Sequence, residues 1–324
     1  MRQTGIGNQR MLGLPTSVLI TRHDKIGDFV LALPLCKAIK TQYPQIRLSM
    51  LVAPVNAEIA RALPFVDDVV VYFRDQPGAA LKALRALQPD VSISCFIDTH
   101  LGWLLFRAGI TRRVGPATKL AQIFFNRRIV QRRSRVEMPE YAYNLELGRA
   151  IFPDLDSSFT PPLFQFPDVS APSTKRVVFH PGFGGSSDGN LRIEDYLALA
   201  KRASQLAGVE VLFTFGPDDA ATRQAVAASL DFPARLIDSF PSLRAFCEYL
   251  QGCKLFVSTS TGPMHLAGAV NTPTLSFFGD SLFASSARWQ PLNEPTRQRN
   301  FMLAQDYDRA TYTAIEATML EALA

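Results

Sequence analysis

Cysteine is scarce and poorly placed for chemistry. Cys36, Cys95, Cys247 and Cys253 are the four in 324 residues, and no two stand at a metal-ligand spacing. Three lie inside apolar segments, the pattern of reduced, buried thiols. Histidine is as sparse: His23, His100, His180 and His265 form no cluster in sequence, so no metal site is expected. The two Asp-x-Asp strings, at Asp154–Asp156 and Asp306–Asp308, are too isolated to change that. No Ser/His/Asp or Cys/His signature is present. No apolar run approaches the roughly 18 residues that a membrane-spanning helix needs. The first fifteen residues carry Gly, Gln, Asn and Arg but no apolar core of a signal peptide, so they are expected to form a loosely held arm of a cytoplasmic protein. Short-period repeats and low-complexity tracts are missing too.

What is present is ordinary globular composition, 47% hydrophobic and 19% charged, long enough for two domains. The net charge of +5 is concentrated locally. Arg107, Arg112, Arg113, Lys119, Arg127, Arg128, Arg132, Arg133, Arg135 and Arg149 form a basic block. Such a block suits phosphates of a nucleic acid, a lipid headgroup or an anionic sugar, or it is a solvated surface. Leu120 to Phe125, apolar and aromatic, adjoins it, either as a core helix with flanking charges or as a membrane-interface helix.

Short β-rich runs alternate with helical stretches. Ser17–Thr21, Arg47–Val52, Asp68–Phe73, Val91–Phe96 and Arg112–Gly115 read as strands in the first half. Between them lie helical patterns such as Phe29–Tyr43, Gly78–Leu87 and Thr99–Ala108. Alternation of this kind means parallel sheets covered on both faces. Pro153 to Ser173, with five prolines, reads as a linker. The pattern restarts at Arg176–His180 and continues through Val209–Phe215, Leu236–Ile237, Lys254–Val257 and Pro273–Phe278. Asp280 to Arg299 reads as irregular, and Tyr312–Leu323 as a last helix. The expected domains are 1–160 and 161–324, with that last helix returning to the first.

Ligands of open α/β sheets bind outside the carboxyl ends of the strands. Four loops with unusual polar content fall there. In Arg22 to Asp28, Asp28 is either a helix cap or a general base. Gly27 allows close backbone approach, and Arg22 and Lys25 suit an anionic acceptor. Gly182, Gly184, Gly185, Ser186 and Ser187 belong to a Gly/Ser-rich loop between strand and helix, a phosphate cradle or a plain surface loop. Asp218 and Asp219 follow a strand and can accept from ribose hydroxyls or cap the next helix. Ser260, Thr261, Gly262, Pro263, Met264 and His265 form a turn into a helix whose N-terminus can take an anion. His265 is either a packed polar residue or a participant in the site.

Three segments together resemble the heptosyltransferase-like glycosyltransferases, glycosyltransferase family 9. Lys25-Ile26-Gly27-Asp28 with Leu33-Pro34 is similar to that family's N-terminal loop. His180-Pro181-Gly182-Phe183-Gly184-Gly185 is similar to its second motif. Thr261-Gly262-Pro263-Met264-His265-Leu266-Ala267 with Phe278-Gly279 is similar to its most specific signature. The resemblance implies the GT-B architecture, two Rossmann-like domains with parallel sheets facing across a cleft. It implies inverting, metal-independent transfer of a heptose from ADP-heptose to a lipopolysaccharide core acceptor. Asp28 matches the base. Thr261, Gly262 and His265 match donor diphosphate and sugar contacts, and Asp218 or Asp219 a ribose contact. No cofactor is implied beyond the nucleotide sugar. The implied acceptor is an anionic lipid-linked saccharide met at the cytoplasmic face of the inner membrane, with Arg112 and Arg113 among its contacts and no nucleic-acid partner.

Two positions depart from the family pattern. Ser260 stands where it has an acid, and Asn190-Leu191 where a lysine and a tryptophan are common. Ser260 motivates an alternative: a related enzyme using another nucleotide sugar, or an epimerase. A basic membrane- or nucleic-acid-binding module is the non-enzyme reading.

Overall fold

A computed structural model describes residues 13–167, 169, 172–182 and 189–324. Its frame is a pair of six-stranded, wholly parallel sheets. The first holds β1 (Ser17–Arg22), β2 (Arg47–Val52), β3 (Asp68–Val71), β4 (Val91–Ser94), β5 (Arg112–Pro116) and β6 (Arg127–Ile129) in the order β3-β2-β1-β4-β5-β6. The second holds β7 (Lys175–His180), β8 (Val209–Thr214), β9 (Arg235–Ile237), β10 (Leu255–Thr259), β11 (Thr274–Gly279) and β12 (Gln298–Leu303) in the order β12-β11-β10-β7-β8-β9. Central strands such as β1, β10 and β11 are near-continuous buried runs, as parallel strands covered on both faces must be.

Helices α1 (Ile26–Val30), α2 (Leu33–Gln42), α3 (Ala57–Ala62), α4 (Pro77–Leu87), α5 (Thr99–Arg107) and α6 (Glu140–Arg149) flank the first sheet. The second is flanked by α7 (Ile193–Ser204), α8 (Ala220–Ser229), α9 (Leu243–Gln251), α10 (Gly262–Ala269), α11 (Ser286–Trp289) and α12 (Arg309–Leu323). The single helix read over Phe29–Tyr43 is two: Pro34 is tolerated in the first turn of α2, and the chain bends before it at Leu31-Ala32.

The halves share one apolar core. Phe29, Leu35 and Ile59 of the first half join Phe246, Met264, Leu266 and Leu292 of the second in a continuous buried cluster. The proline-rich connection takes part: Leu163, Phe164 and Phe166 are buried in it, and the Leu163 N–H donates to Ala269 O at 2.8 Å.

Three expectations are corrected. Helix α12 does not return to the first half. Tyr312, Ile315, Met319 and Leu323 pack with α7 residues in the core of the second sheet, which would otherwise leave that face open. The segment read as irregular to Arg299 holds α11 and the start of β12, an edge strand whose polar, half-buried residues give no apolar run to detect. Edge strand β6 was hidden the same way by exposed Arg127 and Arg128.

Candidate active site

In each sheet one strand pairs neighbours on both sides where the order reverses. It is β1, between β2 and β4, and β7, between β8 and β10. The crevice at such a switch point is where open α/β sheets bind ligands. The loop after β1 carries Arg22 to Asp28. The loop after β7 carries Gly182, and β10 runs into Ser260 and Thr261.

A cleft of about 570 Å³ opens between these ends. The first half contributes Lys25, Ile26, Gly27 and Val55, and the second contributes His180, Gly182, Asp218, Asp219, Thr261, Gly262 and Pro263. An apolar wall of Phe215, Phe240, Leu243 and Phe246 faces them. Phe240 stands 4.9 Å from Phe246 and 5.2 Å from Tyr249 between ring centroids. That volume and mix of surfaces suit a nucleotide. Thr261 is extended, and its hydroxyl turns back to Thr259 O rather than capping α10. The first N–H groups of α10 therefore remain available for an anion at the cleft. Lys25 is the sole lysine or arginine among the described lining residues.

His180 sits at the cleft floor, its Nδ1 3.0 Å from Thr214 Oγ1, and burial lowers its pKa to about 4. Asp219 accepts the Gly216 N–H at 2.7 Å. Its carboxylate lies against Gly182, where a Cβ would stand 1.9 Å from Oδ2 and would force the Asp219 side chain aside. Asp219 is thereby committed to shaping the loop, and exposed Asp218 is the carboxylate free to meet a ligand.

Asp28 lies in α1, directly after the cleft-lining Gly27. Its Oδ1 accepts from Arg22 Nη2 at 2.5 Å. Arg22 is 3% exposed; Nη2 also donates to Asp24 Oδ2, Nε donates to Asp24 Oδ1 and Nη1 to Cys95 O. Burial raises the Asp28 pKa above the ordinary carboxylate value, against the lowering pull of Arg22. Glu140, nearby, accepts from Arg133 and, at 3.1 Å, from Arg288 of the second half. Arg288 is packed between Phe283 and Trp289, 3.8 and 4.4 Å from their ring centroids.

Several expected site residues lie elsewhere. Arg22 is turned inward to hold Asp28 and Asp24, so it is not a free acceptor contact. Lys25 and Gly27 line the cleft shared with the second half. Arg112 and Arg113 begin β5, in register with Val91 and Ser92. Val91 pairs with Val18, four residues before Arg22. At about 3.3 Å per residue they lie roughly 10–13 Å down the sheet from Arg22, where the Asp28 loop begins. The Arg113 side chain is spent on Phe124 O and Ile110 O. Met264 is fully buried in the shared core, and His265, 4% exposed, packs on Gly27; neither lines the cleft. Ser260 donates its N–H to Phe277 O at 2.9 Å and does not line it either. Gly184, Gly185, Ser186 and Ser187 lie outside the described residues. Sequence reasoning missed Glu140, Arg288 and the wall of Phe240, Leu243 and Phe246. Phe240 follows the carboxyl end of β9, where the switch-point rule would have sought it. Among the described residues no group of His, Cys, Asp and Glu is arranged to hold a metal, and no helix is long and apolar enough to cross a membrane.

Residues 155–312 match the profile of Glycosyltransferase family 9 (heptosyltransferase). A Haemophilus influenzae protein named provisionally as a glycosyltransferase is 32% identical over 299 residues, 86% of each chain. Lipopolysaccharide heptosyltransferase 3 of Escherichia coli is 24% identical, over 82% of this chain and 83% of its own. Among solved structures, E. coli ADP-heptose LPS heptosyltransferase II superposes with a TM-score of 0.78 at 17% identity, over 95% of this chain and all of its own. E. coli heptosyltransferase WaaC with ADP gives 0.76 at 18% identity, over 94% and 99%. At that identity the superpositions establish the two-domain α/β fold.

Proposed function

The chain belongs to glycosyltransferase family 9, the heptosyltransferase family, and on that premise we propose that it transfers a heptose from ADP-heptose to a lipopolysaccharide core acceptor. The donor occupies the 570 Å³ cleft. Its base lies on the wall of Phe240, Leu243 and Phe246, its ribose meets Asp218, and its diphosphate sits at Thr261 and Gly262. Lys25 supplies the cation there, in place of the lysine that Asn190-Leu191 lacks. The α10 N-terminus contributes ~0.3–1 kcal/mol if exposed and up to ~2 when partly buried.

Asp28 takes the proton of an acceptor hydroxyl as that oxygen bonds to the anomeric carbon. The bond from that carbon to the diphosphate oxygen breaks, and the nucleoside diphosphate leaves with its charge met by Lys25 and the α10 N–H groups. Configuration inverts, and no metal is needed to neutralise the leaving group. The acceptor is an anionic lipid-linked saccharide, met in the cytoplasm at the inner-membrane face.

The observation that carries this reading is the placement of Lys25 and the α10 N-terminus on one nucleotide-sized cleft, with Asp28 and Arg22 immediately beyond Gly27. The position of Ser260, paired to Phe277 O where the family pattern has an acid, favours a second reading with a different sugar or base on the same chemistry. Thermal unfolding with ADP-, UDP- and GDP-sugars separates the two. A ligand at about 100 times its dissociation constant adds about 2.7 kcal/mol. Stabilisation by ADP-heptose alone is expected; stabilisation by a UDP- or GDP-sugar alone would replace the donor.

A further inference from the structure

From Thr99 to Val136 the chain contains no aspartate or glutamate, while Arg107, Arg112, Arg113, Lys119, Arg127, Arg128, Arg132, Arg133 and Arg135 all fall inside it. The structure folds this stretch into α5, the Leu120–Phe124 turn and the strands β5 and β6 at one edge of the first sheet. Helix α5 leaves the carboxyl end of β4, and a 3-10 turn at Leu120–Phe124 packs onto it. Phe124 lies over Gly102 of α5, where a Cβ would stand 2.7 Å from its ring.

A 3-10 turn places residues three apart on one side. Ala121 and Phe124 thus face α5, while Leu120 and Ile123 point outward at 76% and 64% exposure. Exposed Trp103 and Phe106, stacked at 5.7 Å, continue this apolar ridge, and Trp103 meets Phe124 edge-on at 6.0 Å. Cations border it. Arg107 lies over Trp103 and Arg113 over Phe106, both at 5.6 Å, while Arg127 and Arg128 are exposed on the edge strand. Among the described residues, Arg107, Lys119, Arg127 and Arg128 form no ion pair with a carboxylate. The face reaches the site through Phe96, whose ring lies 4.5 Å from Lys119 Nζ and 6.0 Å from the Arg22 guanidinium.

We propose that this face, the Leu120–Ile123 ridge with its collar of Arg107, Lys119, Arg127 and Arg128, seats the protein on an anionic bilayer surface. Aliphatic and aromatic side chains enter the headgroup–acyl boundary while the cations meet lipid phosphates. A nucleic acid is a poorer occupant, because Leu120 and Ile123 offer bases neither a stacking face nor a hydrogen bond. A second copy of this face is poorer still, since its like charges repel. The inference deepens the proposed function by giving the lipid-linked acceptor a meeting place, and it rests on that reading only for its purpose. The binding itself needs neither substrate.

The test floats the full chain with vesicles of phosphatidylcholine, with or without phosphatidylglycerol. Wild type should float with the anionic vesicles and release at high salt. Leu120→Ser/Ile123→Ser and Arg127→Gln/Arg128→Gln should each lower partitioning at least about tenfold, the effect of losing two membrane-inserted side chains or two surface cations. Their melting temperatures should stay at the wild-type value, since all four residues are exposed or half solvent-facing. Failure of wild type to float, or undiminished flotation of both variants, overturns the proposal. So does capture of a single-stranded RNA, lost on Arg127→Gln/Arg128→Gln, by a chain that ignores vesicles. Vesicle binding that fails while donor binding persists removes this face alone; the converse removes the donor reading alone.

Discussion

Gly27 of α1 lies face to face with His265 of α10: a Cβ on Gly27 would stand 2.7 Å from His265 Cδ2. Gly262 is less tight but still close on Ile26, at 3.1 Å. The Lys25–Asp28 and Thr261–Ala267 motifs therefore touch. His265 is sealed in this contact, and burial lowers its pKa to about 3, so it is a neutral packing residue at physiological pH.

Gly27→Ala should accordingly destabilise the protein. Overpacking costs typically ~1–3 kcal/mol, more than the up to ~1 kcal/mol that alanine gains over glycine in a helix. Adding His265→Ala should return part of the loss, which a double-mutant cycle by urea denaturation measures. Equal stability of Gly27→Ala and wild type would show that the two helices do not pack this way.

With Asp28 as the proposed base, its pairing with Arg22 should set the pH range of activity. Burial raises the Asp28 pKa and Arg22 holds it back, so the acid limb of kcat/KM should lie above the ordinary aspartate value. The base must be ionised, so activity falls as pH drops through that limb. Arg22→Met removes the opposing charge and should move the limb up by about 1–3 pH units. Arg22→Lys, which keeps a charge, should move it less. A limb that stays in place in Arg22→Met contradicts the pairing.

Glu140 is 2% exposed and held by Arg133 of its own half and Arg288 of the other. Removing one partner of a buried pair leaves charge uncompensated, at a cost of ~3–5 kcal/mol. Arg288→Met should lose stability short of that range, because Arg133 still holds Glu140, and Glu140→Gln with Arg288→Met should lose less than the two changes summed. Strict additivity in denaturation would mean that the halves are not coupled here.

Much of the fold was legible because parallel strands buried on both faces leave apolar runs, and β1, β7, β8, β10 and β11 are such runs. Strands β6 and β12 were not, because an edge strand needs burial on fewer sides and can be written in Arg, Gln and Asn. The cleft was legible through loop position: Lys25, Gly182, Asp218 and Thr261 all follow strand ends. What sequence order hides is the orientation of a side chain. Met264 sits one residue from Pro263, yet one lies in the core and the other on the cleft. Glu140 and Arg288, 148 residues apart, meet only because the halves close on one another.

Asp28 is proposed as the base of a glycosyl transfer whose donor is held by other residues. Asp28→Asn keeps the side-chain shape and can still meet Arg22 through its carbonyl oxygen. Single-turnover transfer from ADP-heptose to a lipopolysaccharide core acceptor, measured beside ADP affinity on the same preparation, tests it most directly. Asp28→Asn should lose ~10²–10⁴ in rate with ADP affinity nearly unchanged. Transfer at close to the wild-type rate in Asp28→Asn would contradict it.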